Sequence, residues 1–117
     1  MSRARLIALA VGLVIAGQGR GWADSAAARL GAAYRAYDAG DLETAAAELQ
    51  HVADAKLANP DYAMWLRGQL ALLRGDGDAA HAAFAKLAKD QGSRFAPEVP
   101  WRLADADWLR GKRKAAA

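Results

Sequence analysis

Gly68-Gln-Leu-Ala-Leu-Leu-Arg-Gly75-Asp-Gly77-Asp-Ala-Ala80-His-Ala-Ala-Phe84 decides the fold. Gly68, Ala80 and Phe84 recur 35 residues earlier as Ala33, Ala45 and Leu49, a small–small–large set at spacings of 12 and then 4. That spacing belongs to a helix–turn–helix unit. The first small residue lets two helices approach closely, the second seats the returning helix, and the large side chain fills the gap between them. Gly40, Gly75 and Gly111 keep the register as turn glycines, 35 and then 36 residues apart, and a third copy begins at Ala104 and reaches Ala116. A period of this length predicts an all-α helix-turn-helix repeat solenoid, an architecture that offers surface more often than chemistry.

About five helices follow from the same register. The first runs from about Ser25 to Ala39, capped by Asp24 or Ser25, with Leu30, Ala33, Tyr34 and Tyr37 on one stripe. Gly40 ends it and Asp41 caps the second, whose inward face is Ala45, Leu49, Val52 and Leu57. Asn59-Pro60-Asp61 restarts the chain, with the asparagine as cap and the proline in the first turn. The third helix carries Tyr62, Trp65, Leu66, Leu70, Leu72 and Leu73, an arc broad enough for neighbours on two sides. After an Asp76-Gly77-Asp78 turn the fourth shows Ala80, Ala83, Phe84 and Leu87, and Gly92-Ser93 closes it. The fifth starts at Pro97 or Pro100 and presents Trp101, Ala104, Trp108 and Leu109. Only Lys112 to Ala117 remain beyond Gly111, with no polar capping element, so the register predicts a domain over 24–117 truncated in its third repeat.

Residues 1–23 read as a leader. Arg3 and Arg5 precede an eleven-residue apolar run, Leu6 to Ala16, and Gly21-Trp-Ala23 places small residues for cleavage before Asp24. This is the plan of a secretory signal peptide, with an apolar run short for a bilayer span. The expected location is therefore periplasmic or secreted, in a bacterium, with no stable membrane insertion after cleavage. The whole chain has 16 Lys+Arg and 13 Asp+Glu; three of the arginines lie in the leader, which leaves 13 of each sign. A balanced chain is no expected partner for nucleic acid, which calls for a clustered basic face. Only Arg110, Lys112, Arg113 and Lys114 cluster, as cations at a helix C-terminus do.

Catalytic patterns are hard to find. The absence of cysteine removes thiolate chemistry, disulfides and cysteine metal sites together. His51 and His81 occupy different repeat positions, and Ser25 and Ser93 stand where caps are expected. Asp105 and Asp107 are two apart and so diverge on a helix, and Gly75-Asp-Gly77-Asp lacks the lysine and hydroxyl of a nucleotide loop. No catalytic residue, metal ligand or cofactor-binding residue is assigned. Tyr62, Trp65, Trp101 and Trp108 read as core by their helical spacing, with Trp108 and Tyr37 alternatively near a concave surface. The candidate partner-binding positions are Tyr34, Arg35, Asp38, Gln69, Arg74 and Trp108, on the first, third and fifth helices.

The Gly68/Ala80/Phe84 framework resembles tetratricopeptide repeats, although Met64, Arg67 and Ala71 replace the tryptophan, leucine and tyrosine usual in the first helix. Asp61-Tyr-Ala-Met-Trp-Leu-Arg-Gly-Gln-Leu-Ala-Leu-Leu-Arg-Gly-Asp76 looks like the helical superhelix of soluble lytic transglycosylases, as do Gly92-Ser-Arg-Phe-Ala-Pro-Glu98 and Trp101-Arg-Leu-Ala-Asp105. The resemblance covers roughly residues 30–111. In those enzymes the helical array precedes a lysozyme-like domain with a Glu-Ser motif, and neither is present in this sequence. The Ser93-x-x-Ala-Pro-Glu98 segment also resembles periplasmic repeat proteins of outer-membrane assembly or the Tol system. What the resemblance implies is a non-catalytic exported scaffold binding a protein or a peptidoglycan-associated complex. It would be either the N-terminal part of a peptidoglycan lytic transglycosylase or a free-standing adaptor of the cell envelope.

Overall fold

A computed structural model describes residues 25–111. The leader, its cleavage after Ala23 and the third copy beyond Gly111 lie outside the described residues. Within them the chain is all-helical: α1 (Ala26–Asp38), α2 (Leu42–Gln50), α3 (Asp61–Leu73), α4 (Gly77–Ala88) and α5 (Val99–Leu109), with one short 3-10 turn at Asp54–Lys56.

Two hairpins are closed by the same local chemistry. Gly40 and Gly75 take φ of 81° and 74°, a conformation that side-chain-bearing residues rarely adopt. The amide of the next residue then folds back five positions: Asp41 N–H donates to the Ala36 carbonyl at 2.8 Å, and Asp76 N–H to the Ala71 carbonyl at 2.9 Å. Each aspartate also opens the following helix, accepting from the Thr44 or Ala79 amide at 3.1 Å. One aspartate thus ends one helix and starts the next. Gly111 has φ of 78°, and its amide donates to the Trp108 carbonyl.

Two buried clusters result. The first holds Ala33, Ala45, Leu49, Val52, Ala63, Leu66 and Leu70; the second holds Ala71, Ala80, Phe84, Leu87, Val99 and Ala106. α3 contributes to both, which is why its apolar arc is broad. Trp65 lies in the second cluster, stacked on Phe95 at 4.7 Å and edge-on to Phe84 at 5.6 Å.

A pair of ion bridges repeats as well. Arg74, the C-cap of α3, reaches Glu43 on α2 at 3.1 Å; Arg110, the C-cap of α5, reaches Asp78 on α4 at 2.9 Å. Glu43 and Asp78 are 35 residues apart, Arg74 and Arg110 are 36 apart, so the two bridges occupy matching positions. α5 nonetheless packs on α4 more extensively than α3 packs on α2. The difference traces to Gly77, which stands where the first hairpin has Leu42. A Cβ on Gly77 would lie 2.9 Å from the Ala106 carbonyl oxygen and 2.9 Å from the Arg110 nitrogen.

Several local expectations change. Gly77 belongs to the first turn of α4 and not to the connecting turn. α2 stops at Gln50, so Val52 and Leu57 reach the first cluster from the segment after it. No side chain caps α3, and Asn59 gives way to Pro60 as its flanking residue. Ser93 is no helix cap: it is buried, donates to Asp61 Oδ2 at 2.6 Å and accepts from the Phe95 amide at 3.1 Å. That bond ties the α4–α5 connection to the start of α3. Leu73 is exposed rather than part of the inward arc of α3. The inward residues of α5 are Val99, Leu103 and Ala106, whereas Trp101, Trp108 and Leu109 face outward. α5 turns to α4 the face that fits against Gly77, and that face is not the one its repeat register marks.

Candidate partner-binding surface

The hairpins leave grooves between them. One, of about 340 Å³, lies between α1 and the start of α3 and is lined by Ala27, Leu30, Gly31, Tyr34, Leu57, Ala58, Asn59 and Tyr62. It exists because Ala27, Gly31 and Ala58 are too small to close the space between α1 and the chain entering α3. Two tyrosines and Asn59 supply its polar side chains. The Tyr34 hydroxyl donates to the Tyr62 carbonyl at 2.8 Å, and Arg94 donates to the Tyr62 hydroxyl while its guanidinium lies 5.6 Å above the Tyr62 ring. Burial, followed by the nearby Tyr62 and Asp61, pushes the Tyr34 phenol up from 10.0 to about 12. Tyr34 is therefore a neutral donor at any physiological pH.

A second groove, of about 250 Å³, runs between α2 and α4 over α3. Its floor is apolar, with Leu49, Leu70 and Ala71, and its rim carries Arg67 and Arg74, seven residues and hence two turns apart. Arg67 is committed to the fold. It bonds Asp54 at 2.6 Å and the Val52 carbonyl at 2.9 Å, satisfying backbone left open where α2 ends. Among the described residues Arg74 pairs with Glu43, whose side chain is 86 % exposed, so that bridge is weak and easily exchanged.

The six positions marked from sequence fall in different places. Tyr34 lines the α1–α3 groove, and Arg74 lines the groove between α2 and α4. Arg35 and Asp38 are exposed on α1, Gln69 is half-buried on α3, and Trp108 is exposed on α5. Sequence reading missed Arg67 and Arg94 and favoured the core for Tyr62, which lines the α1–α3 groove; an arginine inside the apolar arc of α3 was the available signal for the first.

The titratable groups serve the helix junctions. His81 Nδ1 lies 3.1 Å from Asp107 Oδ1, which also accepts from Arg110 at 3.3 Å, so this set joins α4 to α5. Asp105 turns away to Arg102 at 3.0 Å. His51 is the exposed C-cap of α2. Among the described residues no three His, Asp or Glu side chains gather as metal ligands, and no helix is long and apolar enough to cross a membrane. Comparison with family profiles, curated proteins and solved structures finds no significant match to this chain.

Proposed function

We propose that this chain is a non-catalytic, tetratricopeptide-like repeat module that is exported to the periplasm and binds a protein partner or a peptidoglycan-associated complex. The observation that carries the reading is the pair of matching bridges, Arg74–Glu43 and Arg110–Asp78, together with the three glycines of φ near 80°. Two consecutive hairpins joined by one set of contacts form a surface that lengthens by repetition, which is how solenoids bind. The grooves on either side of α3 supply apolar floors with arginine or tyrosine at the rim, a composition suited to protein contact. The resemblance to the superhelix of lytic transglycosylases favours a place at the front of such an enzyme; Ser93-x-x-Ala-Pro-Glu98 favours the free-standing adaptor.

The test is to incubate the purified chain with isolated cell-wall sacculi and follow co-sedimentation and released glycan together. Co-sedimentation without release of anhydro-sugars is the expected result. Release of anhydro-sugars would overturn the non-catalytic reading. A chain that stays in solution would exclude direct wall binding and leave the protein-partner form, tested by cross-linking in intact cells.

A further inference from the structure

The groove between α2 and α4 is lined by three charged side chains of unequal standing, Arg67, Arg74 and Asp76. Arg67 is held at Asp54, which it shares with Lys86 of α4, and at the Val52 carbonyl. Asp76 accepts from the Ala79 amide at the start of α4, where the helix N-terminus favours a negative charge. Arg74 differs from both. Its side chain is 44 % exposed, and Glu43, its partner on α2, lies outside the groove lining. A bridge between two such exposed groups adds little stability and is readily replaced. Beside this exchangeable cation lie buried Leu49, Leu70 and Ala71, and Ala46 and Ala79 are too small to close the space between α2 and α4.

We propose that this groove binds a linear segment of a partner protein that carries one carboxylate beside a large apolar side chain. The carboxylate takes the place of Glu43 on Arg74, and the apolar group covers Leu49, Leu70 and Ala71. The inference rests on the reading of the chain as a binding module and names what one of its grooves takes. Charge selects the occupant. With Glu43 displaced, Arg67, Arg74 and Lys86 stand against Asp54 and Asp76, one positive charge in excess. A single carboxylate balances that excess, and a second would meet Asp76. Burial of the apolar side chain supplies the driving force that Glu43, in solvent, does not have. Gln50, exposed in the same lining, adds an amide able both to donate to and to accept from a peptide backbone.

The probes are two capped peptides, acetyl-Ala-Leu-Glu-Ala-amide and its counterpart with glutamine in place of glutamate, each titrated into the full chain at low salt. Backbone and arginine side-chain chemical shifts report where they bind. The glutamate peptide should saturate at about 1 mM, with shifts centred on Leu70 and Arg74. The glutamine peptide should bind about threefold more weakly, and added salt should erase the difference. Glu43→Gln removes the internal competitor, so it should tighten the glutamate peptide by up to about fivefold and leave the glutamine peptide unchanged. Arg74→Gln should abolish the distinction between the two. Both substituted positions are exposed, and circular dichroism checks that each variant keeps the helices of the parent chain.

Equal binding of the two peptides, shifts centred away from the groove, or a Glu43→Gln chain that binds the glutamate peptide no better than the parent would each overturn the proposal. So would nuclear Overhauser contacts from residues 1–24 or 112–117 to Leu70, which would make the chain its own occupant. Equal saturation by 4-methylpentanoate would overturn it in favour of a small free carboxylate. The sacculus and cross-linking assays report on the module reading separately, so silent peptides beside a positive assay remove this site and leave that reading in place.

Discussion

Phe84 lies so closely over Gly68 that a Cβ on the glycine would come within 2.6 Å of ring carbon Cε1 and 2.7 Å of Cε2. The ring is fully buried and held edge-on by Trp65, so it has little room to move aside. Gly68→Ala should therefore destabilise the chain by about 1–3 kcal/mol from overpacking, against a helix-propensity gain of about 1 kcal/mol. Phe84→Leu in the same chain should recover part of the loss. Thermal melts of the single and double variants check this, and additive losses would show that the two residues do not meet.

Gly77→Ala acts at the other close approach. The added methyl meets backbone atoms of Ala106 and Arg110, which rotamer changes cannot relieve. A loss of about 1–3 kcal/mol is expected, although alanine is the better helix former. Because the clash falls between α4 and α5, α5 should open first. Hydrogen exchange at the α5 amides would then accelerate more than at those of α1.

Ser93→Ala removes the hydroxyl that donates to buried Asp61. A buried acceptor left without its donor costs about 1–3 kcal/mol. The loss should appear in urea titration as a lower midpoint with an unchanged slope.

Two groups give the stability a pH dependence of opposite sign. Tyr34 holds its proton more tightly folded than unfolded, so its contribution is complete below pH 10.0 and declines as pH rises toward about 12. Asp41 is the reverse: bonds from the Thr44 hydroxyl and amide hold its carboxyl below 3.8. Its contribution is present above that value and is lost as pH falls through the lower, folded one. Melting temperatures from pH 7 to 12 for the parent chain and Tyr34→Phe test the alkaline limb. The variant should lose that part of the decline, and identical curves would rule it out.

Particular residues show what sequence made legible. Ala33, Gly68, Ala45, Ala80 and Phe84 are each buried where the 35-residue register places a helix contact, because close approach demands small side chains and a large one, Phe84, to fill the gap between the helices. α5 departs from that rule. Its register marks Trp101, Ala104 and Trp108 for a partner helix, but no described helix covers them, and it packs through Val99, Leu103 and Ala106. Periodicity identifies a face; it does not say which neighbour is present to bury it. The grooves were less legible still. Tyr62 and Arg94 are 32 residues apart and meet because Ser93 anchors its loop to Asp61, a contact with no periodic signature.

α3 gives Ala63, Leu66 and Leu70 to one buried cluster and Ala71 to the other, with Met64, Trp65 and Leu72 packed beside it. Neither half of the molecule can melt while leaving this helix fully covered. The two hairpins are thus thermodynamically joined through a single element that neither could lose and survive. Fraying from α1 or α5 inward would be sub-global, whereas opening of the central amides of α3 would require the whole chain to unfold. A ligand held in the groove on one side of α3 would, by stiffening that helix, also slow the breathing of the hairpin on the other.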